Sequence, residues 1–99
     1  MKTVDSSFPI AVHPGEVLQE LLIEYELSQS GLAKHLRIAP SHINEICKGR
    51  RGISTEMAVM FAKTFGISAS TWINLQKSWE LSQIDHSLFE NIKLITLRA

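Results

Sequence analysis

The sequence predicts an all-α domain of five helices, and three observations carry that prediction. Apolar residues recur at helical spacing in separate windows, from Val17 to Tyr25, Leu32 to Leu36, Ile43 to Cys47 and Ala58 to Phe65. The windows open on residues suited to a helix start (Pro14, Ser28, Pro40, Ser54), and two of them close on glycines suited to a helix end, Gly49 and Gly66. The chain has 99 residues, 44% of them hydrophobic, with only 3 prolines and 5 glycines, which suits one domain with a small core. Residues 13 to 83 form that core region, and 84 to 99 read as a C-terminal extension.

Residues 1 to 12 read as an irregular or extended lead-in. Pro14 opens the first helix, with Gly15 and Glu16 in its first turn, where negative charge favours the helix dipole. Val17, Leu18, Leu21, Leu22 and Tyr25 mark its buried stripe, and Glu20 and Glu24 its outer face. Ser28 caps the second helix, whose inner face is Leu32, Ala33 and Leu36. Arg37 to Ala39 make a short turn. Pro40 then starts the third helix, which carries Ile43, Ile46 and Cys47 on its apolar side and ends at Gly49. After the loop Arg50 to Ile53, Ser54 caps a fourth helix with Ala58, Phe61, Ala62 and Phe65 inward and Gly66 past its end. Ser68 or Ser70 caps a fifth helix that runs to about Gln83 and puts Trp72, Leu75, Gln76 and Trp79 on one face. That face is either core or a surface for a partner, since tryptophan favours both. The segment from Asn91 to Arg98 alternates and is rich in β-branched residues, which predicts a short strand. A lone strand is unstable, so it needs a partner. Phe8 to Val12 is the other extended candidate, within one chain or between two.

The second and third helices, joined by a turn of three or four residues, have the spacing of a helix-turn-helix. Such a motif places its second helix in the major groove of DNA. The polar positions left on that helix are Ser41, His42, Asn44, Glu45 and Lys48. Asn44 suits adenine, Ser41 suits any base, and Glu45 can accept from cytosine or pair with Lys48 or Lys34, the ion pair being preferred. Lys48, Arg50 and Arg51 stand where phosphates would run. Charge is segregated to match. Residues 1 to 27 hold one lysine against five acids, a net −4. Residues 28 to 51 hold five cations against Glu45, a net +4, in a chain that is neutral overall.

Other classes find little support. No apolar run approaches the ~18 residues of a membrane span, and MKTVDSSFPIAV is too short and too broken to be a signal peptide. The single cysteine, Cys47, excludes an internal disulfide, reads as a buried thiol and fits the cytoplasm. His13, His35, His42 and His86 lack the spacing of metal ligands, so neither metal nor cofactor is expected. There is no Gly-rich phosphate loop and no nucleophile-base set, so the chain does not read as an enzyme.

Taken together, the start LSQ with Leu32-Ala33, the glycine after the third helix, and the runs HPGEVLQELL, APSHINEICKGRRGIS and Trp72-Ile73-Asn74-Leu75-Gln76 resemble the HigA/VapI-type antitoxins. These belong to the XRE (Cro/C1-type) helix-turn-helix superfamily. The resemblance covers residues 13 to about 83. It implies a lambda-repressor-like fold that binds double-stranded DNA at an inverted-repeat operator as a homodimer. It also implies a partner, a small RelE-like ribonuclease toxin, which the antitoxin neutralises while repressing the shared operon. The implied DNA-binding residues are Gln29, Pro40, Ser41, His42, Asn44, Lys48, Arg50 and Arg51. Gln29 would touch the DNA backbone or cooperate with the recognition helix. The acidic outer face of the first helix (Glu16, Glu20, Glu24) would meet a basic toxin. The sequence departs from the superfamily at Arg37, where glycine is usual, and at Ala39, where a capping hydroxyl is common. Two other readings fit the same residues: a stand-alone regulator with no toxin, and a ribonuclease-inhibiting module that barely binds DNA.

Overall fold

The computed structural model describes residues 11–97. Five helices run in the order α1 (Pro14–Glu24), α2 (Gln29–Leu36), α3 (Pro40–Cys47), α4 (Thr55–Phe65) and α5 (Ala69–Ser82), and a 3-10 turn follows at His86–Phe89. All five expected helices are therefore present. Ser68, rather than Ser70, caps α5, its hydroxyl accepting from the Thr71 N–H. Neighbouring helices pair in sequence, α2 with α3 and α4 with α5, and α1 packs across both α3 and α5.

The core forms where the apolar stripes of these helices meet. Leu18, Leu32, Ile43, Ile46, Phe61 and Trp72 are fully buried there. The Trp72 ring lies 5.0 Å from that of Phe61 at 57°, a tilted packing that places Trp72 in the core. Trp79, two turns along α5, is only half-buried and meets His13 edge-to-face, the ring centroids 4.8 Å apart. Tyr25 closes the α1 stripe from outside, half-exposed, with its ring edge on Phe65. Met57 and Ile53, which the apolar pattern did not single out, are buried as well.

The entry to α1 explains the segment His13-Pro14-Gly15-Glu16. The His13 Nδ1 accepts from the Gly15 N–H at 2.9 Å, and the Glu16 carboxylate accepts from the His13 N–H at 3.3 Å. Together these form a reciprocal cap. Pro14 takes the position where an N–H would be wasted. Gly15 is fixed by packing: a Cβ there would lie 1.9 Å from the Ile46 carbonyl oxygen. The start of α1 therefore rests directly on the backbone of α3. One turn later the Gln19 amide donates to the Cys47 carbonyl at 2.8 Å. That bond satisfies a carbonyl at the end of α3, where helical partners run out.

Helix ends are made by left-handed residues. Gly49 (φ +76°) follows α3, and the Arg50 N–H reaches back to the Glu45 carbonyl at 2.9 Å. Arg37 ends α2 in the same way without being glycine, at φ 61°, with the Ile38 N–H bonded to the Ala33 carbonyl at 3.0 Å. The turn thus keeps the geometry a glycine would give, at a cost of about 1–2 kcal/mol for the side chain. Glu26 (φ 52°) does likewise after α1.

The C-terminal strand is not formed. Among the described residues no strand occurs; residues 92–97 have no regular structure, and Leu94, Ile95 and Leu97 are about nine-tenths exposed. The alternation there has nothing to pair with, and unpaired strands are not stable. Of the proposed partner segment, residues 8–10 lie outside the described residues, and Ala11 and Val12 are not in a strand. Leu81, Ile84, Leu88, Phe89 and Ile92 add to the exposed apolar surface at this end.

Two expectations follow. Gly15→Ala drives a methyl group into the Ile46 carbonyl, so it should destabilise the fold by about 2–3 kcal/mol or more, read as a lower urea midpoint. Burial, opposed in part by Glu16, holds the His13 imidazole below its ordinary pKa. The unfolded chain then takes up the proton more readily. The stability contributed there is present above pH ~6.5 and is lost as pH falls below it. Measured from about pH 7.5 to 5.5, the urea midpoint should fall less in His13→Asn, which keeps a cap acceptor. His42 is shifted in the same direction, so the slope should shrink rather than vanish.

Candidate nucleic-acid interface

Helix α3 has its apolar residues Ile43, Ile46 and Cys47 buried, with Pro40, Ser41 and Lys48 exposed and His42, Asn44 and Glu45 half-buried along its outer side. It starts without a side-chain cap, because Ala39 has no oxygen to offer. Its first free N–H is that of Ser41, since Pro40 has none. A helix start of this kind presents donors and a positive dipole end to an anion.

Gln29 and Asn44 meet. The Asn44 Nδ2 donates to the Gln29 Oε1 at 3.0 Å, so the first residue of α2 is tied to the middle of α3. Sequence reasoning assigned these two residues to one surface, and the structure joins them directly. The bond uses one Asn44 hydrogen; the carbonyl Oδ1 and the second N–H remain for a base edge. Adenine recognition by asparagine needs that acceptor and that donor.

Glu45 pairs with Arg51, not with Lys48 or Lys34 as the sequence suggested. Both Nε and Nη2 of Arg51 lie 3.0 Å from the Glu45 Oε1. The reason is the left-handed turn at Gly49, which folds the chain back so that Arg51 lies beside α3 while Lys48 projects outward. Both partners are about half-exposed, so the pair is worth at most ~1 kcal/mol, and Arg51 can exchange it for a phosphate. Partial burial and the Arg51 charge lower the His42 pKa, with Glu45 opposing, which favours the neutral imidazole.

The loop after α3 is anchored by a residue that sequence reasoning placed on α5 without a role. The buried Gln76 Oε1 accepts from the Ile53 N–H at 2.8 Å, and its Nε2 donates to the Glu80 Oε2 at 2.8 Å. Gly52 is pressed so closely on this amide that a Cβ would fall 2.6 Å from Gln76 Nε2. The available signal was a long amide inside an apolar stripe, where a polar group must find partners. Gln19 was missed altogether; its place among polar neighbours on α1 gave no sign of a bond to α3.

No described helix is long and apolar enough to cross a membrane. No group of three or more potential metal ligands occurs among the described residues.

A family model described as "Helix-turn-helix" matches residues 18–72, more than half of the chain. Virulence-associated protein I of Dichelobacter nodosus is 41% identical over 76 residues, covering 76% of this chain and 70% of that protein. Among solved structures, the Pseudomonas aeruginosa antitoxin HigA, determined with the higBA promoter, superposes with a TM-score of 0.82 at 33% identity. The match covers 87% of this chain and 99% of that one. An addiction-module antidote protein of the HigA family from Coxiella burnetii matches with a TM-score of 0.75 at 31% identity, over 86% and 98% of the two chains. The helix-turn-helix motif, the HPGE entry to α1 and these matches agree: the chain belongs to the XRE-type helix-turn-helix family, a family of DNA-binding regulators and antitoxins rather than enzymes.

Proposed function

We propose that this protein is a sequence-specific DNA-binding antitoxin that represses its own operon and neutralises a RelE-like ribonuclease toxin. The observation that carries the DNA-binding part is the pairing of Gln29 with Asn44 beside an exposed run of cations, Lys48, Arg50 and Arg51. In this reading α3 enters the major groove and Ser41, His42 and Asn44 face base edges. Gln29, Lys48, Arg50 and Arg51 hold the backbone, and Pro40 sets the start of the helix. The likeness to an antitoxin solved with promoter DNA supports the same reading.

One eight-residue helix reads too few bases for useful specificity, so two copies act together. Two-fold symmetry sets their α3 helices about 34 Å apart on an inverted repeat. The exposed apolar residues of α5 and the segment after it, Leu81 to Leu97, supply surface that a second copy would cover. Repression then needs no chemistry, only occupancy of the operator. The compartment is the cytoplasm, where DNA and toxin both are.

For the toxin, the supporting feature is charge. Glu16, Glu20 and Glu24 are exposed on α1, an element outside the helix-turn-helix, and a ribonuclease that grips RNA presents cations.

Two measurements test the reading. Titrated onto the DNA upstream of its own gene, the wild type should bind as two copies, counted by light scattering. Arg50→Ala should weaken binding to all sequences and lower the salt slope by about one unit. Asn44→Ala should cost roughly 1–3 kcal/mol on that DNA and little on random DNA. Equal losses for both variants on both DNAs would refute the division of roles. Separately, Glu20→Lys with Glu24→Lys should slow association with the toxin encoded beside the gene, most at low salt. Unchanged rates with the fold intact would remove the α1 face from toxin binding.

A further inference from the structure

We infer that Gln76, held in orientation by Glu80, is a positioning residue for DNA binding: it fixes the backbone of the basic loop from α5, a helix that does not itself approach the DNA. The inference rests on the DNA-binding reading above and adds a part the motif does not contain. It starts from a hydrogen-bonding problem. The loop 50–53 leaves α3 and enters the core at Ile53, which is buried. Its N–H therefore needs an acceptor, and the acceptor at 2.8 Å is the Gln76 side chain, itself buried. An amide can turn over and offer its NH2 instead, which would leave two donors facing each other. Glu80 prevents this. Its carboxylate only accepts, and it takes the Gln76 Nε2 hydrogen at 2.8 Å. Lys77 in turn holds the other carboxylate oxygen at 3.3 Å. Donation thus runs from Ile53 to Gln76 to Glu80, where Lys77 donates from the other side.

Gly52 shows how tightly the loop is drawn onto this amide. A Cβ there would meet Gln76 Nε2 at 2.6 Å, Oε1 at 2.8 Å and Cδ at 2.9 Å. Arg50 and Arg51 come two residues and one residue before Gly52. Their Cα positions are bounded on one side by the Gly49 turn and on the other by Gly52 and Ile53. Releasing the Ile53 bond frees the downstream end, and the two guanidinium groups then lose the fixed origin from which they reach phosphates. Phosphate contacts are counted by the salt dependence of binding, so the effect has its own signature.

The test uses the full chain, a mixed-sequence duplex as probe, and fluorescence anisotropy over a salt series. Hydrogen exchange at the Ile53 amide is followed without DNA. Gln76→Glu sets two carboxylates face to face. It should lower affinity about tenfold, lower the salt slope by about one unit and speed exchange at Ile53. Adding Glu80→Gln to it rebuilds the donor and acceptor pattern with the polarity of the 76–80 bond reversed. This double variant should recover most of the affinity, the slope and the protection. A purely volumetric role for Gln76 predicts no such rescue. Should Gln76→Glu fail to fold, Glu80→Ala removes only the exposed orienting carboxylate and should still speed Ile53 exchange and lower the slope. Wild-type slope and exchange in folded Gln76→Glu or Glu80→Ala overturn the inference. A wild type that binds no duplex overturns the DNA-binding reading itself, and this role with it.

Discussion

The contact on which the rest of the structure depends is the one between the first turn of α1 and the last turn of α3. Gly15 rests on the Ile46 carbonyl so closely that no side chain fits between, and Gln19 bonds the next carbonyl, that of Cys47. This contact settles the angle at which α3 leaves the core, and hence where Ser41, His42 and Asn44 point. It also explains the apolar economy of α3. An eight-residue helix with three buried side chains cannot hold itself in place by propensity, because short helices are marginal in water. It is held at its end by α1, along its inner face by the core, and at its middle by Gln29. The polar outer edge is left with little to do for stability, which is what frees it to face another molecule.

Most of this was legible in the sequence because it rests on spacing and local chemistry. The five helices follow from apolar period and caps, and Ser28, Ser54 and Ser68 cap where a hydroxyl precedes an apolar run. The positive patch follows from counting charges by segment. What the sequence hid depends on three-dimensional return paths. Arg51 reaches Glu45 only because Gly49 turns the chain back, and a side chain six residues away is not a helical neighbour. Gln19 and Gln76 bond to backbone 28 and 23 residues away in sequence, and no local pattern reports such a partner. The strand from Asn91 failed for the converse reason. Its alternation was real, but strand formation is a property of a pair, and the pattern of one segment carries no information about the other.

Arg37 and Ala39 illustrate how a departure from a family pattern is absorbed. The left-handed turn at Arg37 survives without glycine because hydrogen bonds from the N–H groups of residues 37 and 38 hold it. At Ala39 nothing replaces the missing hydroxyl. The start of α3 is therefore uncapped from within. The result is a small loss of intrinsic helix stability at that end.

The position of α1 has a consequence for how the molecule is made. The pairs α2–α3 and α4–α5 are local and can form as soon as each is synthesised, because little chain must be closed between their members. Helix α1 is different: it precedes the other four in the chain, yet the surfaces that bury it belong to α3 and to α5. His13 must wait for Trp79. The α1–α3 contact needs no later element, but the core closes around α1 only once the α5 face is present as well.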